Sequence, residues 1–438
     1  IYANHSGDYR ARYNLAGEKV TKSKSEMSNR VGGRAGLFVG SRTFEVDILG
    51  DMQEYHRYPS TGELLDFGRG EAKLRFGDDF KDLSHWNFNV EAEGGLFIDD
   101  DRFMQQYMNQ YDLSAKVAVG KMLGRNVLRI HAGYEGVFGT QGLDLYKNNS
   151  FLAGARYGIN GNRFDFLVGA DYYYDNVSES TSNPHKIFPF LHMIWKNATE
   201  SFVPFIEVDG GIKRNDYASL VYTNPFLADD GYMLSQMANE YQYNGRAGFG
   251  GTLGKGLFSY NLSVELSMAN NHAYWYTDAR ANYYYTQAYQ HTLRIDGSMM
   301  LHPVSWFEAE LRAGIYAWEN YEDYYSNRSN FDASLGLRYL GRKISASITA
   351  EYRSGIKWMT LLPSDNFGVL ETDAVTSNKF GYVKTNATFT LDAEVEYRIN
   401  DRWVVYAEGR NLLGSKIYDW LNYYRNTPEG IVGVKMSF

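Results

Sequence analysis

The residues of this chain that could do chemistry are charged groups set at every second position. Glu308, Glu310 and Arg312 alternate with Phe307, Ala309, Leu311 and Ala313, and Glu394, Glu396 and Arg398 alternate with Ala393, Val395 and Tyr397. Glu408 and Arg410 keep the same spacing. Successive side chains on a β-strand point to opposite faces, so each polar row has an apolar row behind it. Carboxylates and guanidiniums placed opposite one another on neighbouring strands pair and solvate an interior. A selective ion path would gather one sign at a constriction, and no such segregation is visible.

Motifs of soluble enzymes fail on inspection. Gly254-Lys255 is followed by Gly256 rather than Ser or Thr, and Phe249 occupies the position of the first glycine, so this is a tight turn and no phosphate loop. The nine His stand without an HExxH pattern or close pairing. Asp99-Asp100-Asp101 offers oxygen ligands for Ca²⁺, but a solvated loop turn is the simpler reading. With no Cys in the chain, disulfides, Cys-ligated zinc, iron–sulfur clusters and thiol nucleophiles are excluded. No catalytic residue, metal site or cofactor is expected. The net charge of −8 is spread along the chain, without the clustered basic footprint of a nucleic-acid binder.

A second set of candidates is aromatic. Tyr274-Trp275-Tyr276, Tyr283-Tyr284-Tyr285, Tyr321 with Tyr324-Tyr325, and Tyr418 with Trp420 lie in long connections. Flat rings carrying hydroxyls suit sugar or peptide stacking and protein interfaces. They also suit an aromatic girdle whose rings pack among themselves.

The elements that position these groups are strands. Period-two alternation runs through 386–398, 344–351, 258–266, 307–313, 204–213 and 87–93, each with one apolar and one polar face. Strands of about ten residues have the length needed to cross a bilayer at a tilt. Hydrophobic residues make up 44% of the 438, yet mean hydropathy is negative. No apolar run approaches the roughly 20 residues of a membrane helix. Aromatics reach 16%, with 37 Tyr against 8 Pro, which favours interfacial girdles over a Pro-punctuated sandwich.

Connections alternate in length. Short turns fall at Gly40-Ser41-Arg42, Leu123-Gly124-Arg125-Asn126, Asn160-Gly161-Asn162-Arg163, Gly254-Lys255-Gly256, His302-Pro303-Val304, Gly341-Arg342-Lys343 and Asn400-Asp401-Arg402. Longer ones span 216–239, 270–290, 317–328, 353–382 and 414–428. The expectation is an all-β, transmembrane antiparallel β-barrel in a bacterial outer membrane, with short periplasmic turns and long extracellular loops. It should hold about 20 strands, an even number between roughly 18 and 22. Residues 1–438 are read as one barrel domain. The opening Ile1-Tyr2-Ala3-Asn4-His5 lacks the features of a signal peptide, so a mature or trimmed form is expected.

The C-terminal stretch carries a family likeness. Tyr406-Ala407-Glu408-Gly409-Arg410-Asn411-Leu412-Leu413, then Tyr423-Tyr424-Arg425-Asn426-Thr427-Pro428-Glu429-Gly430, then the final strand 431–438 resemble the end of TonB-dependent receptor barrels. Pro428-Glu429-Gly430 departs from that family's Pro-Gly-Arg. Asn224-Pro225-Phe226, Tyr243-Asn244-Gly245-Arg246 and the opening Asn4-His5-Ser6-Gly7 resemble plugless, receptor-like barrels of Bacteroidota. On the last strand Val432, Val434, Met436 and Phe438 face lipid. Their terminal aromatic resembles the signal read by barrel-assembly machinery.

The resemblance implies a barrel of about 22 strands, which leaves room for a strand pair before Ile1. Strand-like sequence begins by Val31, so no plug domain is expected in the chain, and energised uptake by this chain alone is not expected. Two functions stand side by side. One is passive or loop-gated passage of small solutes, with 216–239 and 353–382 as the constricting loops. The other is a non-transporting partner barrel in a secretion, lipoprotein or barrel-assembly complex. A receptor whose plug is missing from this chain is a third. Expected partners are outer-membrane lipid and lipopolysaccharide, barrel-assembly machinery during insertion, and other outer-membrane proteins or surface lipoproteins; nucleic acid is not among them.

Overall fold

Alternating apolar and polar residues over 10 or more positions can bury one face and wet the other only as strands, and 77% of the described residues are strand. The computed structural model describes every residue except 1, 9–25, 57–63, 81, 101–107, 142, 144–145, 178–182, 198, 229–236, 279–280, 321–323, 362–379 and 437–438.

The strands are β1 (Tyr2–Asp8), β2 (Glu26–Val39), β3 (Arg42–His56), β4 (Leu64–Gly77), β5 (Asn87–Asp100) and β6 (Met108–Leu123). There follow β7 (Asn126–Gln141), β8 (Lys147–Asn160), β9 (Phe164–Val177), β10 (His185–Trp195), β11 (Val203–Lys213) and, after helix α1 (Tyr217–Thr223), β12 (Glu240–Leu253). Next come β13 (Phe258–Thr277), β14 (Tyr283–Val304), β15 (Phe307–Glu319), β16 (Phe331–Leu340), β17 (Ile344–Arg353) and β18 (Lys357–Leu361). The chain ends with β19 (Phe380–Lys384), β20 (Thr388–Arg398), β21 (Trp403–Arg410), β22 (Ile417–Trp420), β23 (Tyr423–Arg425) and β24 (Glu429–Met436).

Each strand pairs antiparallel with the next from β1 to β17, and the ladder continues β17–β20–β21–β24 as one meander of about 20 strands. The β18–β19 hairpin stands aside and touches β13 through a short parallel ladder. A smaller hairpin, β22–β23, tops the last connection. Among the described residues no ladder joins β24 to β1. The seven rungs of β1 cover Glu26–Gly32 of β2, and among the described residues no strand pairs with Gly33–Val39 on that side.

Register assigns the two faces. Leu266, Ile187 and Val432 on the outer face are 62%, 64% and 83% exposed. Cross-strand rows on the inner face alternate in sign: Glu207, Arg246, Glu265 and Arg294 are successive Cα partners on β11 to β14. Arg34, Asp47, Lys73 and Glu93 do the same on β2 to β5. An antiparallel ladder brings such partners close enough to pair. Among the described residues no helix is long and apolar enough to cross a membrane, which leaves crossing by strands untouched.

Several connections differ from the sequence reading. The turn expected at His302-Pro303-Val304 lies two residues later, at Ser305–Trp306. Pro303 has no N–H to donate, so the ladder slips between Leu301 and Val304 before the strand ends. Residues 270–290 are mostly strand: β13 and β14 run 20 and 22 residues and close through a turn after Thr277. The alternation is interrupted there by a bulge between Ala269 and His272, where Asn271 takes φ 59°. Lys255 takes φ 58° between Gly254 and Gly256, as a tight turn requires.

The two faces differ in what they tolerate. Ile348→Arg, on the outer face, is expected to destabilise the lipid-embedded chain by about 2–4 kcal/mol. Thr349→Arg, on the inner face opposite Asp392, should cost less than about 1 kcal/mol. Denaturant unfolding in lipid vesicles reads both; equal penalties would contradict the assignment of faces.

Candidate functional site

The inner face changes character toward the extracellular ends of the strands. On β4 the inward residues are Arg75, Lys73, Glu71 and Arg69, then Phe67 and Leu65, both buried. Phe97 on β5, Met108 on β6 and Val137 on β7 continue this apolar patch. A bare apolar patch on a wetted wall is unfavourable, and the described parts of the connection between β11 and β12, 214–228 and 237–239, cover it.

Helix α1 sits at the centre of the cover. Asp216 caps it by accepting from the Ser219 amide at 2.8 Å, and Ser219 Oγ receives the Asp216 amide at 3.1 Å, a reciprocal capping box. Tyr217, Ala218, Leu220 and Val221 are buried. Tyr217 meets Phe97 edge-on at 5.8 Å, and Tyr222 meets Phe67 at 5.3 Å. Beyond the helix, Phe226 stacks on Tyr423 of β23 with ring centroids 3.4 Å apart. Ala228 donates to the Tyr283 carbonyl, and Tyr283 donates to that of Phe226.

Polar groups fasten both feet of the cover to the wall. At the first, Gln110 of β6 donates to Asp216 at 3.2 Å and to Asp112 at 2.9 Å, while its Oε1 accepts the Ala218 amide at 3.1 Å. The Tyr217 hydroxyl donates to Asp99 at 2.6 Å, and that of Tyr146 to the Asn215 carbonyl at 2.6 Å. At the second foot Asn239 and Asn148 exchange two hydrogen bonds, of 2.7 and 3.0 Å. Asp175, fully buried, accepts from Asn239, Ser150 and Tyr241. Gln287 of β14 both donates to and accepts from the Ala238 backbone.

The electrostatics fit a closed, water-poor seat. Burial would lower the Arg214 guanidinium, but Asp216 and Asp112 together hold it above its ordinary value. Burial, with Asp216 nearby, pushes the Tyr146 hydroxyl well up. Burial and then Asp51 do the same to Tyr222. These hydroxyls stay neutral donors.

The aromatic candidates line the upper extension of β13 and β14. Tyr274 and Tyr276 cluster on one side with Met359, Tyr284, Tyr324, Tyr325 and Phe380. Trp275, Tyr283 and Tyr285 belong to the cluster that holds α1, beside Trp420. Tyr418 packs on Tyr424 at 5.3 Å. Tyr321 and Phe438 lie outside the described residues, while Val432, Val434 and Met436 occupy outward register positions on β24. Most of 353–382 also lies outside the described residues.

The charged candidates fall on the inner face. Arg312 pairs with Glu310 at 2.6 Å and Arg410 with Glu408 at 2.5 Å. Glu308 lies 3.8 Å from Arg338. Lys435 bridges Glu394 and Glu396, which relieves the direct Glu394–Glu408 opposition on β20 and β21. Arg398 sits at an inward register position opposite Val404. Asp99 is an inward strand residue bound to Tyr217, not part of a loop tip; Asp101 is outside the described residues. Gln110, Asn148, Asp175 and Gln287 were missed by sequence reasoning. Their signal was uncharged or lone polar residues at inward positions beside an apolar break such as Leu65 and Phe67.

No protein-family model matches the sequence, and no curated protein matches it. Solved structures do match. The FrpB iron transporter from Neisseria meningitidis superposes with a TM-score of 0.74 at 11% identity, over 100% of this chain and 76% of that one. The copper transporter OprC gives 0.70 at 12% identity, again over 100% and 76%. The ferripyoverdine receptor of the outer membrane of Pseudomonas aeruginosa gives 0.67 at 10% identity, over 94% and 65%. At these identities the likeness establishes the fold alone, that of the outer-membrane β-barrels, and the apolar outer face is suited to lipid.

Removing the acceptor at the second foot tests the seat. Asp175→Ala strands three buried donors, each worth about 1–3 kcal/mol. Limited proteolysis within 217–237 should then accelerate about tenfold or more, while the barrel stays folded by heat-modifiable gel mobility. An unchanged cleavage rate would show that the foot does not hold the loop.

Proposed function

We propose that the chain is a passage for small solutes across the outer membrane, with the 214–239 segment as its gate. The observation that carries this reading is the seat itself, an internal cover fastened at both ends to the lumen wall by neutral and charge-balanced polar groups. A sheet of about 20 strands encloses more space than its own side chains can fill, so its lumen conducts unless something occupies it. Below the cover the wall is wet and balanced in charge. Such a wall solvates polar solutes without trapping either sign, unlike a filter of like charges. The similar solved structures include proteins named as transporters of copper and iron, which agrees with passage through a barrel.

Opening would require α1 and 224–228 to leave their seat, exposing Leu65, Phe67 and Phe97 and breaking the contacts of Gln110, Asp175 and Gln287. The polar share of that cost is modest, because each broken protein hydrogen bond is replaced by one to water at a net loss of about 0.5–1.5 kcal/mol. The fastening therefore suits a reversible cover better than a permanent core.

Single-channel recording in planar bilayers tests the proposal. The native chain should show low or intermittent conductance. Replacing 217–237 by a short Gly-Ser linker should give a larger, steady conductance step. Identical conductance in both chains, or silence in both, would overturn the gating role.

A further inference from the structure

Beside the feet of the cover, the lumen wall formed by β11 to β17 bears a half-open cavity of about 670 Å³, within the ~300–1,000 Å³ of small-molecule sites. Three features of its lining point to one class of ligand. First, the rings of Tyr316 and Trp318, both inward on β15, run parallel within 7° with centroids 5.7 Å apart. The Arg294 guanidinium lies 5.4 Å from the Tyr316 ring centre. Such a column presents a flat, electron-rich surface to the C–H face of a ring.

Second, several charges at the lining are already paired. Arg294 pairs with Asp296 at 2.5 Å, and Glu240 lies between His272 at 3.2 Å and Lys213 at 3.7 Å. A charged ligand would have to break such pairs, whereas a neutral group that both donates and accepts can bond to them as they stand. Third, Gln290 is only 6% exposed and lines the cavity. Its amide nitrogen donates to Thr292 at 3.0 Å, while its Oε1 has no donor among the described residues. A buried amide oxygen without a donor is costly, and a turn of the Gln290 side chain into the cavity would let a ligand hydroxyl satisfy it.

We infer that this cavity is a binding site for a neutral saccharide, with Trp318 as the stacking residue and Gln290 Oε1 as a hydroxyl acceptor. A sugar ring supplies what the three features ask for: apolar C–H faces, hydroxyls that donate and accept, and no net charge. The inference rests on the passage reading, for which it names the solute class.

The test uses the full chain in detergent micelles, screened against an array of neutral, acidic and basic oligosaccharides, with hits titrated calorimetrically. Neutral saccharides should bind. Trp318→Ala should weaken them about tenfold, the loss of one well-placed aromatic contact, and Gln290→Leu should weaken them in the same direction. Trp403→Ala, on the lipid-facing surface, should leave binding unchanged, and heat-modifiable mobility checks that each variant is folded. Absence of any neutral hit, preference for charged ligands, or folded Trp318→Ala and Gln290→Leu chains that bind as the native one would overturn the inference. Conductance of the loop-shortened chain reads the gating account separately, so the two can fail independently.

Discussion

A peptide N–H or C=O left without a partner in hydrocarbon costs several kcal/mol, and no water is there to relieve it. Every feature of this chain follows from how that demand is met. Strand-by-strand pairing from β1 through β17 and on to β24 satisfies the backbone across the wall. Once the backbone is committed to strands, side chains divide by parity, and the apolar half must face lipid. The same demand applies to the edges of β24 and the lower part of β2, for which no ladder partner lies among the described residues.

Parity then dictates the interior. Because inward residues on adjacent strands sit opposite one another, charge is managed by rows rather than by isolated pairs. Glu207, Arg246, Glu265 and Arg294 show this most clearly, and Lys435 shows how a like-signed opposition at Glu394 and Glu408 is softened by a third strand. The wall can stay charged without strong selectivity. Where the rows end, toward the outside, the inner face turns apolar at Leu65, Phe67 and Phe97, and a segment of the chain is drawn in to cover it.

The barrel was legible in the sequence because its signal is local. A run such as Ala387, Phe389, Leu391, Ala393, Val395 and Tyr397 declares its own face, and the tight turn at Gly254-Lys255-Gly256 declares itself by composition. The same parity sets Glu308, Glu310, Arg312, Glu408 and Arg410 on the polar face of their strands. Less was legible where strands leave the bilayer. The aromatic extension of β13 and β14 looked like loop because the bulge at Asn271 breaks the alternation and Tyr fills both faces. The feet of the 214–239 segment were invisible, because Gln110, Asn148 and Asp175 contact it across more than 60 residues of sequence and no local pattern encodes those contacts. The cavity beside Trp318 is non-local in the same way.

The chain contains no Cys, so single cysteines can be placed on a silent background. The most direct measurement is thiol labelling of the chain in lipid vesicles along β4, with Ala72→Cys, Lys73→Cys and Phe67→Cys compared. The account predicts that a water-soluble reagent labels the Lys73→Cys chain, that only a lipid-soluble one labels Ala72→Cys, and that neither labels Phe67→Cys until 217–237 is removed. Equal aqueous labelling at positions 72 and 73, or ready aqueous labelling at position 67 in the intact chain, would contradict it.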